Sequence, residues 1–306
     1  LRVTDTMTAG KQTAFVGVRG TIRCREPMAN HTSWKVGGPA RYFFEPRDRE
    51  DLSVFFKGLD AAVPVLWLGL GSNLLVRDGG FDGAVIAAHR GLREIRDLGE
   101  GRLAVQAGVS CARFSRFAAK HGWSGAEFLD GVPGTMGGAL AMNAGAFGSE
   151  TWNLVEEVEL VNRAGSFEKR PAESFAVSYR QVEIPPAHWF TAGVFQLQQG
   201  TGHEGTSIRS LLDKRSESQP VRQSSAGSVF RNPPNDYAAR LIETTGLKGL
   251  RFGGALVSMQ HANFIVNDQQ ACAKDIEMLI EKIQKTVADH TGVSLEPEVR
   301  FVGEHQ

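Results

Sequence analysis

The sequence predicts an α+β chain of more than one domain, from three observations. Its 306 residues exceed what a single core usually holds. Strand-like and helix-like pieces alternate through the first half. Near Gly200 the composition changes to a polar, Gly-containing stretch, Thr201–Glu204, after which a separate set of helices and short strands begins.

In order, residues 1–20, most plainly Leu1 to about Gln12, read as a flexible leader. Ala40–Phe44 is a strand, followed by a helix over Arg49–Leu59. Val65–Leu68 is an apolar strand entering a first glycine loop, and Gly83–Ala88 and Leu103–Ala107 are further strands. Ser110–His121 has helical spacing, with Cys111, Phe114, Phe117 and Ala118 on one face and Gly122 as its stop. Leu154–Val161 and Phe190–Gln198 alternate as strands do. Beyond Gly200, a helix carries Ile208, Leu211 and Leu212, and a turn-rich stretch, Ser216–Asn235, leads to a short helix at Asp236–Thr245 capped by Gly246. Ala255–Met259 and Phe264–Asn267 are short strands. The clearest helix is Ala271–His290, with Ile276, Leu279, Ile280, Ile283 and Val287 on its apolar face and Gly292 at its end. Leu295–Val302 is the final strand.

Composition excludes several classes of function. Lys plus Arg equals Asp plus Glu, 34 each, so bulk charge does not favour nucleic acid. No apolar run reaches the roughly 18–20 residues that span a bilayer. Cys24, Cys111 and Cys272 are odd in number and far apart, which suggests free thiols of a reducing compartment rather than disulfides or zinc. His31 and His261 stand alone and read as satisfied polar groups, so no metal is expected.

Glycine is the unusual feature, with 35 residues, many clustered. The first loop reads Gly69-Leu70-Gly71-Ser72-Asn73-Leu74. Glycines without a Cβ let backbone N–H groups converge on an anion such as pyrophosphate, but a tight structural turn has the same signature. It is not a Rossmann fingerprint, because the third glycine is missing and Leu74-Leu75-Val76 continues as strand; no Walker lysine follows either. The second cluster, SGAEFLDGVPGTMGGALAMNAGAFGSE from Ser124 to Glu150, contains seven glycines. Gly131, Pro133, Gly134 and Thr135 would open a helix whose first N–H groups face a phosphate, and Gly137 and Gly138 would admit a flat ring or a diphosphate. The alternative is a loop packed on itself.

Taken together with later blocks, these residues resemble the UDP-N-acetylenolpyruvoylglucosamine reductases, the MurB family. The resemblance runs from about Pro27 to Gly303: NHTSWKVGGPA at Asn30–Ala40, GSNLLV, EFLDGVPGTMGGALAMNAGA, Tyr179-Arg180, QPVRQSSAGSVFRNPP, LIETTGLKG and LEPEVRFVGE. It implies an FAD-binding fold of the vanillyl-alcohol-oxidase type, with two α/β subdomains, plus a C-terminal α+β substrate-binding domain. On this scheme residues 21–200 bind FAD, with the subdomains split near 88–90. Residues 201–294 bind the UDP-sugar, and 295–306 return to the active site. It also implies NADPH as reductant and small-molecule substrates only, without nucleic acid or membrane, in a cytoplasmic monomer. The short stretch between Arg180 and Phe190 matches the type lacking a tyrosine-bearing loop. Val182 stands where many members have serine, and Ala239-Arg240 where Gly-Lys is usual.

The reaction adds hydride to the methylene of a vinyl ether bearing a carboxylate, so it needs a hydride donor, a stabiliser of growing negative charge and a proton donor. The resemblance assigns the proton to Ser228, which on pattern alone is a turn serine. Arg180 can hold a carboxylate through two hydrogen bonds, or anchor a loop. Glu298, on pattern a solvated strand edge shared with Arg300, is marked by the LEPEV block; it could orient or neutralise a cation, or be protonated itself. The resemblance adds Asn143, Ala144 and Gly145 to the FAD loop. Tyr179, Lys214, Arg222, Arg231 and Asn232 are candidate substrate contacts, and Arg215 adds local positive charge. Two rivals are a related flavin oxidase of another alcohol or sugar, and a non-catalytic UDP-sugar-binding module.

Overall fold

The structure, a computed structural model, describes residues 15–306 except Thr201 and His203. The chain forms two compact units, each discontinuous in sequence. The first comprises the described residues up to 25, with 41–70 and 82–213; the second comprises 26–40, 71–81 and 214–306.

In the first unit, a four-stranded sheet runs in the order Thr21–Pro27, Pro39–Glu45, Phe81–Ala87 and Val65–Leu68, the last two parallel. The helix Arg49–Gly58 buries Leu52, Phe55 and Phe56 in its core. That helix starts where Asp48 accepts the Asp51 N–H at 2.9 Å, a side-chain cap for an otherwise orphan donor. After a 3-10 turn at Ala88–Arg90 comes a five-stranded sheet: Phe167–Pro171, Val155–Asn162, His188–Gln196, Arg102–Gln106 and Ile95–Asp97, antiparallel throughout. The helices Cys111–Lys120 and Met136–Met142 share its core through Phe114, Ala118, Met136 and Leu140.

The second unit is built on the amphipathic helix Ala273–Thr291, whose Ile276, Leu279, Ile280, Ile283 and Val287 are all buried, and which ends at Gly292 with φ +73°. The Asp78 carboxylate accepts its Ala273 and Lys274 N–H groups at 2.9 Å each, and Asp275 completes a capping box. Its sheet is a meander of Arg251–Phe252, Ala255–Val257 and Ile265–Asn267.

Three differences from the sequence reading have physical causes. The expected partition near Gly200 was contiguous, whereas the units interleave, because Trp34, Val36 and Leu75 are buried in the second core. Residues 1–14 of the expected leader lie outside the described residues, but its last part is core. Phe15 is buried, stacked 4.9 Å from the Phe55 ring, and Val18 is buried beside it, a contact that one aromatic without periodicity does not announce. The final strand is shorter, Arg300–Val302, parallel to Leu74–Val76. Pro297 removes a donor in the middle of the expected run, and the preceding residues pair irregularly with Phe230 and Arg231.

Candidate active site

The first glycine loop meets other chain segments closely. In the first unit, a Cβ on Gly69 would lie 2.6 Å from Thr135 Oγ1, so the two glycine loops, 66 residues apart at these positions, touch there. Leu70 beside it is exposed. In the second unit, Gly71 has φ +65°, and a Cβ on it would lie 2.1 Å from the His31 carbonyl oxygen. Its own carbonyl accepts from the Ser33 N–H at 3.1 Å and from the Ser33 hydroxyl at 3.2 Å. His31 is anchored in turn by Glu26, Nε2 to Oε1 2.7 Å. Ser72 is half-buried, and Leu74 is a buried residue of the strand Leu74–Val76. Asn73 works as a staple: its side-chain amide donates to the Glu298 carbonyl at 3.1 Å, and its carbonyl accepts the Arg300 N–H at 3.1 Å.

The second loop is packed more tightly on itself than a phosphate cradle requires. Gly131 ends the 3-10 turn Glu127–Gly131, and a Cβ there would lie 2.9 Å from the Phe147 ring. Gly134 accepts the Cys111 N–H, and Thr135 caps the helix Met136–Met142. The first N–H groups of that helix are engaged within the chain. Met136 donates to the Val109 carbonyl, Gly137 to the Ala107 carbonyl, both at 2.8 Å, and Gly138 to Thr135 Oγ1 at 3.4 Å. The expectation that they face a phosphate therefore meets strand-end carbonyls instead. Pro133 and Gly138 face outward. Asn143 ends the helix in the left-handed region, φ 45°, and is buried. Its side chain donates to Glu150 at 2.8 Å and to the Ser178 carbonyl at 3.2 Å, and accepts the Trp152 N–H at 3.1 Å. Ala144 is buried, and its carbonyl accepts from Thr151.

Arg180 sits at the tip of the hairpin formed by Val177–Ser178 and Gln181–Val182, with φ +57°, a conformation costly for a residue with a Cβ. Its guanidinium donates to the Asn143 carbonyl at 3.2 Å and to the Gly145 carbonyl at 2.7 Å, and lies 5.0 Å from the centroid of the exposed Tyr179 ring. These contacts fix the cation within the first unit.

In the second unit the backbone of Glu298 meets that of Val229, the residue after Ser228. Gly227, at φ +73°, turns the chain into Ser228, and the Glu298 N–H donates to the carbonyl of Val229 at 2.7 Å. Asn263, which no sequence block singled out as functional, pairs with both main-chain groups of Phe230 and accepts the Val229 N–H. The signal for it was a lone asparagine inside the apolar run Ala262–Val266, a position that is buried only when its amide is fully used. The Asn263 N–H donates to His261 Nδ1 at 3.3 Å. Burial, and then the charge of Lys248, lowers the pKa of His261, which keeps that nitrogen available as an acceptor.

The candidate sugar contacts Lys214 and Arg222 are exposed on the helix Glu204–Ser218 and the following turn. Arg231 is half-buried, its N–H on the Glu296 carbonyl, and Asn232 accepts the Ala238 N–H at 3.1 Å, opening the helix Ala238–Thr244. Among the described residues, no group of three or more His, Cys, Asp and Glu is placed to hold a metal, and no helix is long and apolar enough to cross a membrane.

Residues 219–302 match the family model of the UDP-N-acetylenolpyruvoylglucosamine reductase C-terminal domain, and residues 40–169 match that of an FAD binding domain. The UDP-N-acetylenolpyruvoylglucosamine reductase of Methylococcus capsulatus is 54% identical over 289 residues, covering 94% of this chain and 95% of its own. The chain belongs to the UDP-N-acetylenolpyruvoylglucosamine reductase family. The Nitrosococcus oceani reductase is 53% identical, covering 94% and 97% of the two chains. The crystal structure of the Thermus caldophilus reductase superposes with a TM-score of 0.78 at 34% identity, covering 92% of this chain and 98% of that one. The FAD-binding match spans both glycine loops, and the reductase C-terminal match spans Ser228, Asn263 and Glu298.

Proposed function

We propose that this chain catalyses the NADPH-dependent reduction of UDP-N-acetylglucosamine enolpyruvate to UDP-N-acetylmuramate, a peptidoglycan precursor, with Ser228 as proton donor. The observation that carries the reading is the Glu298 N–H on the Val229 carbonyl, 2.7 Å, which fixes a carboxylate residue beside the serine within one family-matched unit. The assignment gives FAD chiefly to the first unit, the UDP-sugar to the second, and the proton-transfer site to residues 295–306 through Glu298.

The glycine loops fit FAD. Gly138 has open space where a Cβ would be and is exposed, as are Leu70 and Pro133, so flat or phosphorylated surface can come within van der Waals reach of backbone there. Gly69–Leu74, Gly131–Thr135, Gly137, Gly138 and Asn143–Gly145 form these loops; Asn73, Gly137 and Asn143 contribute chiefly by holding them in shape. When bound, FAD supplies the hydride, taken from NADPH, that adds to the enolpyruvyl methylene.

The chain's own residues do the rest. Ser228 gives its hydroxyl proton to the carbon bearing the ether oxygen and the carboxylate. Arg180, a cation at any working pH, takes the carboxylate as its charge grows. Glu298 sets the charge around the proton transfer. Tyr179, Lys214, Arg222, Arg231 and Asn232 bind the UDP-sugar. The protein works on these small molecules as a cytoplasmic monomer.

The test is anaerobic. NADPH is expected to bleach a yellow protein, and enolpyruvyl-UDP-N-acetylglucosamine to restore the colour. S228A should bleach normally and recolour roughly 100-fold more slowly, the contribution usual for a positioned proton donor. Failure of the sugar to restore colour in the parent would sink the reaction; recolouring of S228A at the parental rate would remove Ser228 as the donor.

A further inference from the structure

The segment after Ser228 is held by a side chain that acts as a neighbouring strand. Asn263 is 3% exposed. Its side-chain oxygen accepts the Phe230 N–H at 2.9 Å, and its side-chain NH2 donates to the Phe230 carbonyl at 2.8 Å. Its main-chain carbonyl accepts the Val229 N–H at 2.9 Å. The fourth group, the Val229 carbonyl, accepts the Glu298 N–H at 2.7 Å. All four main-chain polar groups of Val229 and Phe230 are therefore satisfied, three by Asn263 and one by Glu298.

A primary amide presents a donor and an acceptor side by side, as a peptide unit does. Here it pairs with both polar groups of one residue, a two-bond clamp that fixes position and rotation together. Upstream, Ser225 bridges to Val266, and Gly227 at φ +73° then turns the chain sharply into Ser228. The clamp thus begins at the residue directly after Ser228 and holds the backbone that carries its hydroxyl.

We propose that Asn263 is the positioning residue for proton transfer: it fixes the Val229–Phe230 backbone, and through it both the Ser228 hydroxyl and the Glu298 backbone. The proposal rests on the assignment of Ser228 as proton donor. A misplacement of about 1 Å at a reacting group costs roughly 100-fold in rate, so a clamp of this kind has kinetic weight.

Anaerobic half-reactions of the FAD-loaded protein separate the outcomes. N263A should bleach with NADPH at the parental rate, since the clamp lies in the residues matched to the reductase C-terminal domain. Its recolouring by enolpyruvyl-UDP-N-acetylglucosamine should slow by roughly tenfold to 100-fold. The double variant S228A/N263A should recolour no more slowly than S228A, because a positioning residue has nothing left to position. A merely structural role predicts instead that the two effects multiply, or that bleaching and recolouring fall together; either result overturns the proposal, as does parental recolouring in N263A. Parental recolouring in S228A overturns the assignment of the donor instead. Should N263A not fold, N263D keeps the acceptor for the Phe230 N–H and loses the donor to its carbonyl, and is read by the same criteria.

Discussion

At Gly71 the backbone is left-handed, φ +65°, and a Cβ would stand 2.1 Å from the His31 carbonyl oxygen. At Gly137 φ is not positive, and a Cβ would stand 2.8 Å from the Ala107 Cβ. One position after it, Gly138 is exposed, and outside its own helix the nearest atom to a Cβ there would be Thr135 Oγ1 at 3.8 Å. In sequence all three are glycines of a ligand-loop pattern. In the structure the first is required by conformation and contact, the second by contact alone, and the third by nothing in the chain. A glycine needed by its own protein says little about a ligand; one with open space and a poor propensity for its helix says more.

The comparison breaks most visibly at Gly71. Replacement by alanine forces a Cβ into the left-handed region, at roughly 1–2 kcal/mol, and into a main-chain oxygen that cannot rotate away. G71A should lose about 3 kcal/mol or more of stability, read as a fall in the thermal midpoint of the flavin-free protein. An unchanged midpoint would mean that the His31 carbonyl gives way easily, and that the tight turn is not what requires glycine.

G137A should show a smaller loss. The new methyl group overlaps another methyl group and a carbonyl at 3.1 Å, at roughly 1–3 kcal/mol, while alanine in place of a helical glycine returns about 0.5–1 kcal/mol. A net loss of about 1–2 kcal/mol is expected in the same melt. If G137A proved more stable than the parent, the strand end at Ala107 would not be the reason for this glycine.

Much of this was legible in the sequence. The helix 273–291 declared itself by a strict apolar face and a terminal glycine, and the strand at Leu74–Val76 by the apolar run that ruled out a Rossmann turn. The Glu298 N–H on the Val229 carbonyl was not legible locally, because nothing near a turn serine tells which segment about 70 residues later passes beside it. Asn263, the Gly69–Thr135 contact and the placement of Trp34 in the second core were not read. Each is a long-range pairing, and periodicity carries no information about which distant carbonyl an amide will meet. The density of glycine in the second loop was legible, but its meaning was divided between ligand approach and self-packing, and only the hydrogen bonds of Met136 and Gly137 separate the two.

Gly138 gives the smallest effect on stability and the sharpest reading of the comparison. Inside a helix and facing outward, it costs about 0.5–1 kcal/mol relative to alanine. G138A should therefore melt slightly higher than the parent when flavin-free. The Cβ, 3.8 Å from its nearest neighbour in the chain, meets no obstacle there. If the surface of FAD comes against this position, the same methyl group should weaken flavin binding, measured as the dissociation constant from titration of the flavin-free protein by fluorescence quenching. The expected pair of results is a higher melting point with weaker FAD binding, a combination that neither a folding defect nor a neutral surface change produces. A higher melting point with parental FAD affinity would leave Gly138 outside the flavin's reach and shift the cradle toward Gly69, Leu70 and Pro133.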